Sequence, residues 1–282
     1  MKKLLIIGIL FAGNIHAQEV METFSGTRIL NGHSTETLQK RVMQFRIEHR
    51  FGDVAGDNGG VQQWFGFDQA ADIRFAFEYG ITDDLTVGIG RSKGTGAPYR
   101  SLLDGFAKYR ILKQNASGMP LSLTFVGSST FTYMTKSEDL TQIPSFPKVS
   151  HRFAYSTQLI AARKFGERLS IAVMPSYVHR NLVETDDVNG LFALGGAANF
   201  KIAKEFGLIA EYYHTFHSED VRTTNYNSLS FGFEWITNGH NFKIVCTNAR
   251  GFNETQFIPY TYSNWADGEF RLGFSITRNF KL

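Results

Sequence analysis

The chain has 282 residues, 29 Lys and Arg against 26 Asp and Glu, a formal charge of +3, 26 Phe, 11 Tyr, 3 Trp, 27 Gly, 6 Pro and one Cys. So even a charge balance offers no basic face for nucleic acid, one cysteine closes neither a disulfide within the chain nor a Cys-x-x-Cys metal site, and the low proline count argues against collagen-like or Pro-rich disordered chains. The one long apolar run, residues 4–12, is too short to cross a membrane as a helix, which excludes a helical membrane protein as well.

Lys2 and Lys3, the apolar run after them, and Ala17 just before Gln18 form the three parts of a secretory signal peptide, residues 1–17. No cysteine follows the run, so lipoprotein processing is not expected. Residues 18–39 come next and carry Phe24, Arg28, Ile29, Leu30 and Leu38. The sequence leaves open whether this segment folds into a lumen or sits in the periplasm.

From residue 40 to residue 282 the dominant signal is alternation with a period of two, the mark of strands with two chemically different faces. Met43, Phe45 and Ile47 oppose Gln44, Arg46, Glu48 and Arg50. Ile73, Phe75, Phe77 and Tyr79 oppose Asp72, Arg74, Ala76 and Glu78. The pattern recurs through the chain and ends with Phe270, Leu272, Phe274 and Ile276 opposing Glu269, Arg271, Gly273 and Ser275. It yields twelve strands, several of ten residues or more, where soluble strands run to about 5–6. Connections after even-numbered strands are mostly short (80–84, 113–118, 165–168, 202–205, 237–240), and Asn238-Gly239 is a strong two-residue hairpin signal. Those after odd-numbered strands are generally longer (51–67, 91–102, 135–150, 179–190, 217–227, 250–267).

These features predict an all-β, closed, up-and-down antiparallel transmembrane β-barrel, with short periplasmic turns and long extracellular loops, in the outer membrane of a Gram-negative bacterium. Tyr79, Tyr109, Tyr133, Tyr177, Tyr212 and Trp235, near strand ends, fit interfacial girdles. A secreted β-sandwich also alternates, but needs neither such long strands nor such one-sided loops. Expected partners are outer-membrane lipid, the export and barrel-assembly machinery, and a small solute or a periplasmic protein. Neither nucleic acid nor a cofactor is expected.

The strings Glu22-Thr23-Phe24-Ser25-Gly26-Thr27-Arg28, Phe45-Arg46-Ile47-Glu48-His49-Arg50-Phe51-Gly52-Asp53 and Gly80-Ile81-Thr82-Asp83-Asp84-Leu85 resemble the DUF5777 family of β-barrel proteins, typical of Bacteroidota. So do Phe257-Ile258-Pro259-Tyr260 and Phe270-Arg271-Leu272-Gly273-Phe274. The resemblance implies an outer-membrane location and brings no established activity, substrate or catalytic residue.

The face opposite the apolar one carries seven basic and seven acidic residues: Arg46, Glu48, Arg50, Asp72, Arg74, Glu78, Asp104, Lys108, Arg110, Glu211, Glu234, Lys243, Glu269 and Arg271. Strands 1, 2, 4 and 12 hold most of them, which predicts one cluster on one wall of the lumen. Such a set either interlocks as a salt-bridge network filling a narrow barrel or forms a constriction that selects a polar or charged solute. A channel or binding barrel for a small solute is therefore one expectation, and a scaffold barrel anchoring periplasmic or surface partners is another. An outer-membrane phospholipase is the enzymatic alternative and needs a serine beside a histidine base. His214, His217 and Ser218 lie near the end of strand 9, but adjacent residues of a strand point to opposite faces. The acidic loop residues Asp53, Asp57, Glu184, Asp186 and Asp187, with Asn58, have no EF-hand spacing for calcium, and Cys246 falls on the lipid-facing set.

Overall fold

The computed structural model describes residues 22–69, 72–94, 98–116, 118–216 and 225–282. The predicted signal peptide, residues 18–21, His217 and Ser218 lie outside the described residues. Twelve strands follow one another: β1 (Val42–Arg50), β2 (Asp72–Gly80), β3 (Leu85–Lys93), β4 (Leu102–Leu112), β5 (Ser122–Thr132), β6 (Phe153–Phe165), β7 (Leu169–Arg180), β8 (Gly190–Lys201), β9 (Phe206–Phe216), β10 (Ser228–Ile236), β11 (His240–Thr247) and β12 (Arg271–Lys281). Each pairs antiparallel with the next, and β1 pairs with β12 from Val42↔Lys281 to Arg50↔Gly273, so the sheet closes as a barrel without a free edge. Closure is what hydrocarbon demands, because lipid offers no partner to an unpaired backbone N–H or C=O. Strands of 8 to 13 residues, at about 3.3 Å per residue and tilted by about 40°, span roughly 20–33 Å, which brackets the ~25 Å apolar band of such barrels.

The side chains are distributed inside out relative to a soluble protein. Phe75, Phe77, Ile89, Leu103, Phe125, Phe192, Leu208 and Ile244 are exposed on the outer face, while Arg46, Arg74, Glu78, Lys108 and Glu234 are buried on the inner one. In water such a surface would be an aggregation hazard; against lipid it is the solvated face. The inner face is itself divided. Between the rims, β6, β7 and β8 turn uncharged residues inward, including Ile160, Met174, Val178 and Leu191, and the luminal charges stand on β1, β2, β4, β9, β10, β11 and β12.

The described residues of the connections that follow β2, β4, β6, β8 and β10, mostly short turns, lie at one end of the barrel together with the start of β1 and the end of β12. The described residues of the connections that follow β1, β3, β5, β7, β9 and β11 lie at the other. Two of the residues expected in the luminal charge cluster are displaced to the rims. The last strand starts at Arg271: the turn Trp265–Asp267 and Gly268 (φ 75°) precede it, and Glu269 accepts a hydrogen bond from Asn264 N at 2.7 Å. Arg110, at the short-turn rim, pairs with Asp84 at 2.8 Å. In both places the alternation of residue types runs on past the lumen.

Candidate functional site

The lumen is filled from both ends. From the short-turn end residues 22–39 enter as a hairpin, held across its arms by the Arg28↔His33 bridge and by Ser34 N donating to Thr27 O, and turned by Ile29 N donating to Gly32 O. From the long-loop end residues 248–261 fold inward and include one helical turn, α1 (Glu254–Phe257), whose four residues are all buried. Of the two placements the sequence left open for residues 18–39, the described part takes the luminal one.

A segment without regular structure must find partners for its own backbone polar groups, and the wall charges supply them. Lys108 Nζ donates to Thr27 O at 2.5 Å and Glu36 O at 3.1 Å. Lys243 Nζ donates to Arg28 O and Ile29 O, both at 2.7 Å. The carboxylate of Glu211 accepts from three successive amides at the hairpin tip: Leu30 N at 3.1 Å, Asn31 N at 2.9 Å and Gly32 N at 3.2 Å. Consecutive N–H groups converging on one anion form a nest. Glu36, in the returning arm, accepts from Thr23 N at 2.8 Å, and burial pushes its carboxyl above the usual range. The inward loop is read in the same way: Arg50 donates to Ala249 O and Gly251 O, and Arg271 to Asn248 O at 3.2 Å.

The remaining charges pair along the wall. Arg74 bridges Glu48 at 2.5 Å and Asp104 at 2.6 Å, Arg46 meets Glu78 at 3.3 Å, Lys243 meets Glu234 at 3.4 Å, and Asp72 is held by Arg250 at 2.6 Å. Buried ions persist only where such partners exist. The set also extends around β9, β10 and β11, so it is wider than the single wall that the sequence pattern suggested.

The two inserts meet in mid-lumen. Arg28, fully enclosed, donates to Asn31 O at 2.6 Å and reaches Glu254 Oε1 at 3.4 Å, while its Nη2 donates to His33 Nε2 at 3.1 Å. That last bond needs an unprotonated imidazole nitrogen, and burial beside Arg28 and Lys108 holds His33 well below the usual histidine range. Arg28 was noted in the sequence only as part of segment 18–39, and Glu254 was not noted; neither stands in an alternating segment, so no periodic signal marked their pairing. The apolar side of the hairpin (Phe24, Ile29, Leu30) packs in one cluster with Ile160, Met174, Ile209, Tyr213 and Phe257. Fit here depends on missing side chains. A Cβ at Gly232 would stand 2.4 Å from Leu30 Cδ2, and one at Gly32 would run into the Tyr213 hydroxyl. At the short-turn mouth, between hairpin and wall, a cavity of about 390 Å³ remains, lined in part by Gln44, Asn279 and Lys281.

Of the other sites considered from the sequence, Asp53 caps Gly56 N at 3.3 Å and Asp187 pairs with Arg180 at 2.8 Å. Among the described residues no three His, Cys, Asp or Glu side chains gather as a metal would require. Cys246 is half-buried on the outer face of β11.

A family model described as "Membrane bound beta barrel domain (DUF5777)" matches residues 24–280. Comparison with curated proteins gives no match. Among solved structures, the chain is similar to the KdgM porin in complex with disordered oligogalacturonate: TM-score 0.51, 9% identity, 85% of this chain and 99% of that one covered. The KdgM porin alone gives 0.50 at 8% identity with the same coverage. The P. putida toluene transporter TodX gives 0.44 at 8% identity, covering 92% of this chain and 95% of that one. At such identities the KdgM likeness is one of fold.

Proposed function

Because the chain belongs to the membrane-bound β-barrel family DUF5777, we propose that it is a non-enzymatic outer-membrane channel for a small polar or charged solute, closed by its own N-terminal hairpin. The short turns face the periplasm, where an exported chain arrives, and the long loops face outward. The observation that carries this reading is where the wall charges direct their hydrogen bonds. Lys108, Lys243 and Glu211 bind main-chain atoms of one continuous segment, and each would be hydrated if that segment withdrew. A wall of this composition is compatible with a filled and with a water-filled lumen, whereas an apolar core would not wet. Rings and clusters of charge facing water are what select solutes in channels.

The filled lumen also favours a second reading, a scaffold barrel that conducts nothing. Planar-bilayer recording separates the two. Three chains are compared with the native one: lacking residues 22–36, with residues 250–261 replaced by a short Gly-Ser linker, and with both changes. We expect rare openings from the native chain and steady conductance from the double variant. A double variant that folds, as judged by heat-modifiable migration, yet passes no current supports the scaffold.

A further inference from the structure

The first long loop, residues 51–69, leads outward where residues 248–261 lead in. Its rings form a continuous column. Trp64 packs on Phe67 (ring centroids 5.1 Å apart), Phe67 on Phe51 (4.7 Å), and Phe51 on His49 (4.6 Å) and Phe274 (6.3 Å). His49 alternates with buried Glu48 and Arg50 along β1, and Phe274 with buried Ser275 along β12, so the foot of the column stands on the barrel's outer face at the closing β1–β12 seam. Its top is bare. Val61 is 74% exposed, Trp64 62%, Phe65 46% and Phe67 39%.

The exposed position is built into the loop. Trp64 (φ 42°) and Phe65 (φ 55°) both occupy the left-handed region, an outlier for bulky side chains that persists only where the surroundings enforce it. Here Phe65 N donates to Gly60 O at 2.8 Å, Gly60 N to Val54 O at 2.9 Å and Gly52 N to Gly66 O at 3.0 Å. The segment Val61–Gly66 and the Phe67 that follows it carry no charge, and acidic Asp57 and Asp68 flank it. Strained backbone displaying uncharged aromatics to water would be a liability in a loop surrounded by water.

We propose that this ledge lies in the lipid interface of the leaflet at the long-loop end, with Trp64, Phe65 and Phe67 at headgroup depth. Continuity favours lipid over a protein partner: the column rises without a break from side chains on the barrel's outer face. Aromatic rings with one polar edge are favoured at that depth. The ledge thereby ties the seam between first and last strands to the membrane and leaves the barrel mouth to the inward loop. The inference is independent of whether the lumen conducts.

The test uses the full chain with Trp235→Phe and Trp265→Phe, which leaves Trp64 as the single tryptophan, refolded into phosphatidylcholine vesicles carrying bromine on the upper acyl chain. If the ring sits at the headgroup–acyl boundary, Trp64 loses about half of its emission or more relative to unbrominated vesicles and resists aqueous acrylamide. Should Trp265→Phe prevent folding, the difference between the native chain and Trp64→Phe in the same vesicles gives the same measure. Emission indifferent to bromine and quenched by acrylamide as in a free peptide would place the ledge in water, as a face for a protein partner, and overturn the proposal.

Discussion

Replacing Glu211 by Ala removes the acceptor for three successive main-chain amides at the hairpin tip, Leu30, Asn31 and Gly32, at 2.9–3.2 Å. A hydrogen bond to a charged group contributes about 1.5–3 kcal/mol, and a buried donor left without a partner costs about 1–3 kcal/mol. Three such donors do not add, because they share one carboxylate and water can enter the space it vacates. We therefore expect a net loss of about 3 kcal/mol from the inserted state of the hairpin. Withdrawal carries no matching penalty, since Glu211 in the native chain would then be hydrated. At 1.4 kcal/mol per factor of ten, the withdrawn population rises about a hundredfold. Ile29, fully buried, becomes the reporter as Ile29→Cys, with the single native cysteine changed as Cys246→Ala. Labelling by a membrane-impermeant maleimide tracks the withdrawn population when reinsertion outpaces reaction. Glu211→Gln keeps an acceptor oxygen and loses the charge, so its increase should fall between the two, about tenfold. A Glu211→Ala barrel that remains folded and labels no faster than its parent would refute the account of how the hairpin is held.

Three further outcomes follow from the same geometry. Gly232→Val places a side chain where Leu30 Cδ2 stands, 2.4 Å from a Cβ there; it should raise the labelling rate, and Leu30→Ala in the same chain should lower it again. Arg74→Met leaves Glu48 and Asp104 without their shared cation, which should destabilise the barrel by about 3–5 kcal/mol, read as a lower urea midpoint for loss of heat-modifiable migration. His33 is held neutral in the inserted hairpin, so acid should favour the withdrawn state, in which the imidazole is free to protonate. The labelling rate of the Ile29→Cys, Cys246→Ala chain relative to the same chain carrying His33→Gln should be flat above about pH 6.5 and rise below it, by at most about tenfold per unit; a ratio that stays flat down to pH 5 would show that His33 does not titrate with insertion.

Alternation made the barrel legible because a strand's period of two assigns every residue to one face before any coordinate is known. Phe75 and Phe77 out, Arg74 and Glu78 in, is the observed placement. Turn lengths did the rest of the topology, since a run of hairpins admits one neighbour order. The signal weakened where the physics changes. Alternation ran on to the rim at Arg110, near the end of β4, and past the start of β12 at Glu269, because polar rim residues continue the pattern without joining the luminal cluster. It was silent for Arg28, His33 and Glu254, whose positions follow from tertiary contacts between two non-repetitive segments. It was silent too on the direction of the rings in the first long loop, which depends on two left-handed residues, Trp64 and Phe65, that are not glycines.

The two-sided lumen explains how residues 22–39 hold together without being a strand or a helix. Regular structure satisfies backbone groups internally and leaves side chains to pack; an irregular segment reverses the roles and needs a polar wall for its backbone as well as an apolar one for its side chains. The barrel provides both. Phe24, Ile29 and Leu30 lie in one cluster with residues of β6, β7 and β9, while Lys108 on β4, Glu211 on β9 and Lys243 on β11 receive the carbonyls and amides. The luminal charges thus serve in two ways: Lys108, Lys243 and Glu211 bind the hairpin's carbonyls and amides, while Glu48, Glu78, Asp104 and Glu234 are balanced by Arg74, Arg46 and Lys243 on the wall itself. These main-chain contacts act beside side-chain ones, such as Arg46 donating to Thr27 Oγ1 at 2.9 Å and Asn31 Nδ2 donating to Ser230 Oγ at 2.8 Å, and the fit is further set where bulk is excluded, Gly32 against Tyr213 and Gly232 against Leu30.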